Sequence, residues 1–153
     1  MARGDLTIDL DKASYQKFMN IVGQLERADQ GRAISNALRQ GIQVIISAGK
    51  SNLAQRNKVK TGNLKKSFTR KVSSKKMAAY GGFRRSSPGK RIQGANHSYL
   101  VDRGTSDRWT RKGYYRGRAT GTRFWTDAVQ SQGPAAMNKL MTAIYNTLDR
   151  ITR

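Results

Sequence analysis

The sequence predicts an α+β fold, in which a small antiparallel sheet packs against a long helix of the N-terminal half and a C-terminal helix, with long basic loops. Apolar residues recur at helical spacing over 29–56 and again from Phe124 onward, which indicates two amphipathic helices. Between them, alternating segments at 67–73 and 77–83 are typical of paired strands. The length of 153 residues fits one domain.

The first part of that domain, 1–28, is predicted to contain a strand and a helix. Apolar and polar residues alternate over 6–10, as in a half-buried strand. From Asp11 the period becomes helical, and Asp9 or Asp11 is the candidate cap of this helix. Asp29-Gln30-Gly31 then predicts a break before the long helix.

A basic region of hairpin and loops, 57–123, is predicted to follow the long helix. Residues 63–68 are either one helical turn or the entry to a strand. The two strands join at 73–76, and residues 84–96 form a loop rich in Pro, Gly, Ser and charge. Ser98–Asp102 is a further strand candidate, which ends at Gly104.

The last element is a helix over 124–153. Apolar residues recur at helical spacing along it. Gly133-Pro134 is predicted to divide this helix, because proline lacks a backbone donor and disfavours helix before it.

Positive charge is concentrated in the middle of the chain. The net charge is +21, and residues 57–123 hold 19 basic against 2 acidic side chains. Such a block requires an acidic partner, a bound polyanion or extensive screening by solvent.

Composition argues against most enzyme classes. The chain has no Cys, so disulfides and thiolate metal sites are excluded. Its one histidine, His97, cannot form a His-rich metal site, and no phosphate-loop or hydrolase motif occurs. No apolar run approaches the length of a membrane helix, and no signal peptide is expected. We therefore expect no enzymatic activity, no catalytic or metal-binding residue, no cofactor and no membrane contact.

Aromatic and basic side chains are interleaved in the loop 105–122. This pattern suits stacking on bases and neutralising phosphates, and it equally suits contact with a neighbouring subunit. The candidate interface or DNA-facing residues of the two basic loops are Arg84, Arg85, Lys90, Arg91, Arg108, Trp109, Arg111, Lys112, Tyr114, Tyr115, Arg116 and Arg118.

Several short motifs are expected to determine turns and packing. Gly62 and Gly104 are predicted to adopt positive φ, and Thr61 to cap the following turn through its hydroxyl. Leu64 and Phe68, four residues apart, are expected to face the core.

Asp102 is expected to play a structural part beside Gly104. Its carboxylate is predicted either to accept hydrogen bonds from nearby backbone or to pair with Arg103 or Arg108.

The order of these segments resembles the tail-completion (neck, head–tail joining) proteins of tailed bacteriophages. The resemblance covers roughly residues 30–150. It consists of a T-G-x-L-x-x-S motif, a tyrosine-containing strand ending in an acid-x-Gly-Thr turn, and a Phe-x-x-x-Ala start to the last helix. The residues that carry it are Thr61, Gly62, Leu64, Ser67, Tyr99, Asp102, Gly104, Thr105, Phe124 and Ala128. The family usually has Glu before the Gly-Thr turn and Pro before the Phe, where this chain has Asp102-Arg103 and Arg123.

This resemblance implies a structural virion protein, located in the neck or tail and assembled in the bacterial host cytoplasm. It implies a homo-oligomeric ring, with a hexamer favoured over a dodecamer, next to head-connector, tail-terminator or tail-tube proteins and in transient contact with genomic DNA. The alternative from composition is a stand-alone basic nucleic-acid-binding protein.

Overall fold

A computed structural model describes residues 6–7, 12–23, 27–56, 62–84 and 95–151. The elements in chain order are β1 (Leu6–Thr7), α1 (Lys12–Gly23), α2 (Arg27–Arg56), α3 (Asn63–Lys66), β2 (Phe68–Ser73), β3 (Ala78–Phe83), α4 (Ser98–Arg103) and α5 (Phe124–Ile151). This arrangement confirms the α+β class.

The sheet is antiparallel and has the strand order β1-β3-β2. In the hairpin, the pairing of β2 and β3 runs from Phe68 opposite Phe83 to Ser73 opposite Ala78. β1 adds Leu6 opposite Gly81. Both predicted hairpin strands are confirmed to within one residue at each end.

The two long helices, α2 with 30 residues and α5 with 28, pack against each other and against the hairpin. At 1.5 Å per residue, α2 is about 45 Å long. The main buried side chains are Ile34, Ala37, Leu38, Ile42, Ile45, Ile46 and Leu53 of α2, Ala79 of β3, and Phe124, Trp125, Ala136, Leu140, Ala143 and Ile144 of α5. Leu64 and Phe68 pack on this core while partly exposed, as predicted.

Four aromatic rings join the hairpin to the start of α5. Phe68 and Phe83 face each other across β2 and β3 with centroids 4.7 Å apart. Both rings meet Phe124 and Trp125 edge-on, at centroid distances of 5.5 to 6.2 Å. Such tilted and edge-to-face pairs add stabilisation beyond the burial of area.

Trp125 occupies space that two glycines leave open. A Cβ at Gly49 of α2 would lie 2.8 Å from the Trp125 ring and 3.1 Å from Phe68, and one at Gly81 of β3 would lie 3.3 Å from Trp125. Gly49 therefore permits the close approach of α2 to the aromatic cluster.

The predicted division of the last helix at Gly133-Pro134 is wrong, because α5 runs unbroken with Pro134 inside it. Gly133 has no Cβ for the proline ring to clash with. Buried residues on both sides of Pro134, such as Ala128 and Leu140, pack α5 onto the body. That packing outweighs the cost of about 3 kcal/mol for an interior proline.

The strand predicted over Ser98–Asp102 is also wrong, because Ser98–Arg103 forms α4. Helical bonds satisfy its backbone, including Val101 N–H to His97 O at 3.2 Å and Gly104 N–H to Leu100 O at 2.8 Å. The carbonyls at its end bond to the segment that precedes α5 rather than to a strand.

Smaller differences concern the element ends. Asp29-Gln30-Gly31 is not a break, since α2 begins at Arg27. Asn63–Lys66 forms a helical turn, which settles the alternative left open for 63–68. The proposed caps Asp9, Asp11 and Thr61 lie outside the described residues.

We expect Gly49→Ala to lower the free energy of unfolding by about 1–3 kcal/mol, the usual cost of overpacking a core. This loss should exceed the gain in helix propensity of about 1 kcal/mol. Urea unfolding followed by circular dichroism measures it.

Gly31→Ala is the matched control in the same helix, because nothing lies within 4 Å of a Cβ added there. It should be neutral or stabilise the chain by up to about 1 kcal/mol. Equal effects of the two substitutions would contradict the close packing of Trp125 on Gly49.

Candidate functional site

Residues 104–120, between α4 and α5, form an ordered two-stranded ribbon that we call the arm. Isolated antiparallel bridges pair Gly104 with Thr120 and Trp109 with Tyr115. Both pairs belong to the same register, so the two halves of the arm run side by side without a net slip.

Most backbone bonds along the arm follow this register, and Arg108 N–H to Gly117 O at 3.2 Å is out of it by one residue, beside the positive φ of Gly117. Near the base, Thr105 N–H donates to Ala119 O at 2.9 Å. Towards the tip, Thr110 N–H donates to Tyr114 O at 2.8 Å, and Gly113 N–H closes the turn onto Thr110 O at 2.9 Å. The residues at the turn are therefore 111–113, which include the basic side chains of the tip.

One face of the arm is aromatic. Trp109 and Tyr115 stack across the ribbon with ring centroids 4.9 Å apart, and the Tyr115 hydroxyl donates to Asp107 Oδ1 at 3.0 Å. The rings nevertheless remain 64% and 55% exposed. A cross-strand aromatic pair thus stabilises the arm while presenting most of its surface to solvent.

The other face of the arm is cationic. Successive side chains of a ribbon point to opposite faces, so Arg108 and Arg116, next to the Trp109–Tyr115 bridge, share the face opposite Trp109, together with Tyr114. Arg118 follows Gly117, whose φ of 79° interrupts this alternation. Arg108 and Arg116 are direct cross-strand neighbours, linked by Arg116 N–H to Arg108 O at 2.6 Å. These side chains are exposed. Within the described residues, the ion pairs are those of Arg56 and Arg123 with Asp127, so no carboxylate pairs with an arginine of the arm.

The base of the arm is held by direct contact between backbones. A Cβ at Gly121 would lie 2.3 Å from the carbonyl carbon of Arg103, and one at Gly104 would lie 2.5 Å from Ala119 O. Gly104 also has φ 81°, and Gly62, before α3, has φ 72°. Both positive-φ predictions are confirmed.

Asp102 fixes the start of α5. Its side chain is 4% exposed. Oδ1 accepts from Trp125 N–H at 2.7 Å and from Thr126 N–H at 3.1 Å, while Oδ2 accepts from the Thr126 hydroxyl at 2.5 Å. A carboxylate at a helix N-terminus satisfies free N–H groups and complements the helix dipole. Of the two roles predicted for Asp102, the structure shows acceptance from backbone, although the donors are 23 and 24 residues away.

The residue before α5, which bonds to the end of α4, has an unusual backbone conformation. Arg123 has φ 52°, a left-handed conformation that non-glycine residues rarely adopt. Its N–H donates to Asp102 O at 2.7 Å. Proline, which the resembling family usually has here, has φ fixed near −65°. Proline could not adopt the conformation that Arg123 has here.

A cluster of charges around Asp127 ties α2 to the same joint. Arg56 Nη1 lies 2.5 Å from Asp127 Oδ2, and Arg123 Nε lies 3.1 Å from Asp127 Oδ1. The hydrogen bonds from Arg56 and Arg123 hold the pKa of Asp127 below its usual value of 3.8. Asn52 Nδ2 adds a bond to Phe124 O at 3.0 Å. The end of α2 thus fixes the start of α5, and with it the base of the arm.

The motif residues of the sequence divide between core and surface. Phe124 and Ala128 are fully buried, and Ser67 donates its hydroxyl to Leu64 O at 2.7 Å. Thr105 Oγ1 accepts from Ala119 N–H at 2.9 Å. Tyr99, by contrast, is exposed on α4.

The basic candidates are not all brought together. Arg108, Trp109, Arg111, Lys112, Tyr114, Tyr115, Arg116 and Arg118 all lie on the arm. Arg84 is exposed after β3, where its N–H donates to Ser67 O at 2.7 Å. Arg85, Lys90 and Arg91 lie outside the described residues.

Sequence reasoning missed the residues that hold the base of the arm. Asn52, Arg56 and Asp127 belong to elements that are distant in the chain, and Arg56 and Asp127 are 71 residues apart. The sequence feature that could have indicated this cluster is Asp127 in the first turn of a predicted helix, a position that favours acids.

No group of three or more His, Cys, Asp or Glu side chains in the part of the chain that the structure describes is placed to hold a metal ion. No helix in it is both long and apolar enough to cross a membrane.

Comparison of the chain with protein-family models, curated proteins and solved structures gives no match.

We expect Asp102→Ala to reduce the free energy of unfolding by about 1–3 kcal/mol, because it leaves buried N–H donors of α5 without an acceptor. Asp149→Ala, at an exposed acid of the same helix, should change it by less than about 0.5 kcal/mol. Thermal and urea unfolding of both variants measure this. Equal small effects would contradict the role of Asp102 in fixing α5.

We expect the stabilisation by the Asp127 cluster to depend on pH. Since the folded state lowers the pKa of Asp127, its contribution is present above pH 3.8 and is lost as the pH falls through the lowered value. The difference in unfolding free energy between the wild type and Asp127→Asn should therefore shrink in acid. Unfolding titrations from about pH 6 to about pH 3 measure it, and a difference that is constant over this range would contradict a charge-based contribution.

Proposed function

We propose that this chain is a structural protein of a phage neck, which forms or completes the ring that joins head to tail. The observation that carries the proposal is the arm, an ordered ribbon fixed at its base and exposed at its outer part. Its aromatic face presents Trp109 and Tyr115 to solvent. An exposed aromatic surface that is formed before binding supports a function exerted through contact with another protein.

The way the arm is held favours this role. Asp102, Asp127 and the glycine contacts fix both ends of the arm to the helical body. A surface ordered before binding loses less conformational entropy when it docks than a flexible loop does. Trp, Tyr and Arg are also the residues that contribute most to protein interfaces.

A ring needs heterologous contacts that close, so one surface of a subunit must meet a different surface of the next. An arm that leaves the body in a fixed direction is suited to this, since it carries one surface away from the others. In the proposal, the arm contacts the next subunit or an adjoining ring. A hexamer is favoured over a dodecamer, and head-connector, tail-terminator or tail-tube proteins are the adjoining partners.

A second candidate is a stand-alone basic nucleic-acid-binding protein. The observation that favours it is the cationic face of the arm, whose arginines lack carboxylate partners within the described residues.

The test is the copy number of the chain in purified particles, by quantitative mass spectrometry scaled to the portal protein. We expect a small fixed multiple that corresponds to one ring per portal. Absence from finished particles would overturn the neck proposal.

We further expect Trp109→Ala combined with Tyr115→Ala to block joining, because it removes most of the aromatic surface of the arm. Electron microscopy should show separate heads and tails, with the chain lost from the particles. The matched control is Tyr99→Ala combined with Tyr145→Ala, at exposed aromatic residues outside the arm. Normal joining by the Trp109 and Tyr115 variant would contradict the proposed contact.

A further inference from the structure

We propose that the cationic face of the arm binds the phosphate backbone of a nucleic-acid duplex. This binding surface is separate from the aromatic face, and the inference rests on the second candidate function above, for which it names the ligand of the cationic face. It is argued from the pairing in the arm, the placement of its arginines and the scarcity of free carboxylates in the part of the chain that the structure describes.

The pairing of two arginines is the first observation. Arg108 and Arg116 are cross-strand neighbours on one face, beside the Trp109–Tyr115 bridge, with Arg116 N–H bonded to Arg108 O and both Arg108 N–H and Nε bonded to Gly117 O. Directly opposite residues have Cβ atoms about 4.5–5.5 Å apart, and like charges there destabilise a ribbon. An anion bound between the two guanidinium groups removes this repulsion. Arginine also suits phosphate, which it can bind through two parallel hydrogen bonds.

The second observation is the uniform sign of the charge along this face. Arg111 and Lys112 continue the positive charge at the tip, and Arg118 adds a further exposed cation beyond Gly117. The other residues of the face, Thr110 and Tyr114, are uncharged. The one acid of the arm, Asp107, lies on the opposite face, bonded to Tyr115. A row of cations without carboxylates fits a partner with evenly repeated negative charge.

The shape of the arm fits such a partner. The major groove of B-form DNA, about 12 Å wide, admits a two-stranded ribbon. Tyr114, 69% exposed, lies on the cationic face beside the arginines. Aromatic and basic side chains together are typical of surfaces that contact nucleic acid.

A second copy of this chain offers few anions to the arm. The sequence has 9 acidic residues against 30 basic ones. Of the five that the structure describes, Asp102 is buried, Asp127 binds two arginines and Asp107 accepts from Tyr115, which leaves Asp29 and Asp149. The charge of the arm therefore favours a different, acidic molecule, and a face with cations and no acid favours nucleic acid over an acidic protein.

Two charge-matched triple variants of the full chain test the proposal. One is Arg108→Gln, Arg116→Gln and Arg118→Gln on the arm. The other is Lys71→Gln, Lys75→Gln and Lys76→Gln, at exposed positions of the hairpin. Each lowers the net charge of +21 by three, so only the location of the lost charge differs.

The measurement is the binding of labelled DNA and RNA duplexes of equal length, by fluorescence anisotropy over about 0.05–0.3 M salt. We expect the arm variant to reduce the magnitude of the slope of log K against log salt concentration by about 2.7 on the duplex that the arm binds. This is the change expected for three lost phosphate contacts to B-form DNA. The hairpin variant should change the slope much less. The duplex with the larger loss of slope identifies the preferred nucleic acid.

Two results would overturn the proposal. One is an equal change of slope in both variants, which would mean that only total charge matters. The other is competition by poly-glutamate as strong as by duplex, which would assign the arm to acidic protein. Equal thermal unfolding of both variants controls for folding, and Arg116→Gln and Arg118→Gln alone replace the triple variant if it does not fold. Because the measurement uses the isolated chain, its failure is distinct from a failure of the neck proposal, which particle composition tests.

Discussion

The position of the Asp102 carboxylate is the constraint on which the junction of α4, the arm and α5 depends. It accepts from the first N–H groups of α5, and the backbone carbonyl of the same residue accepts from Arg123. The start of α5 is thereby fixed against the end of α4. That places Phe124 and Trp125 in the aromatic cluster and sets the two ends of the arm side by side. A buried carboxylate is costly unless its hydrogen bonds are satisfied, and here three donors satisfy it.

Local periodicity was enough to predict the main elements. The alternation that predicts β2 and β3 and the helical spacing that predicts α2 and α5 are properties of short segments, and packing on one core preserves them. The errors arise where tertiary contacts outweigh local preference. Pro134 lies inside a helix because buried residues on both sides pack against the body. Ser98–Arg103 is helical, and its last carbonyls bond to the residues before α5, which are distant in the sequence.

The candidate site was predictable in composition but not in arrangement. Interleaved Arg, Trp and Tyr residues identified the arm, but their separation into an aromatic and a cationic face depends on which residues lie opposite each other. That register follows from pairings such as Trp109 with Tyr115, which the sequence does not specify. The residues that fix the base of the arm could not be predicted for a different reason. Arg56 and Asp127 belong to different predicted helices, and local sequence does not show that these helices meet. Tyr99, a motif residue, lies exposed and takes no part in the core.

The two tryptophans of the chain report on different parts of the molecule. Trp125 is 7% exposed within the aromatic cluster, whereas Trp109 is 64% exposed on the arm. Intrinsic fluorescence therefore contains two optically distinct signals. A water-soluble quencher reaches the indole of Trp109 and leaves that of Trp125 largely emitting. The quenchable fraction of the emission therefore reports whether a partner covers the arm, and the protected fraction reports whether the helical body is folded. Both are measured in one unlabelled sample.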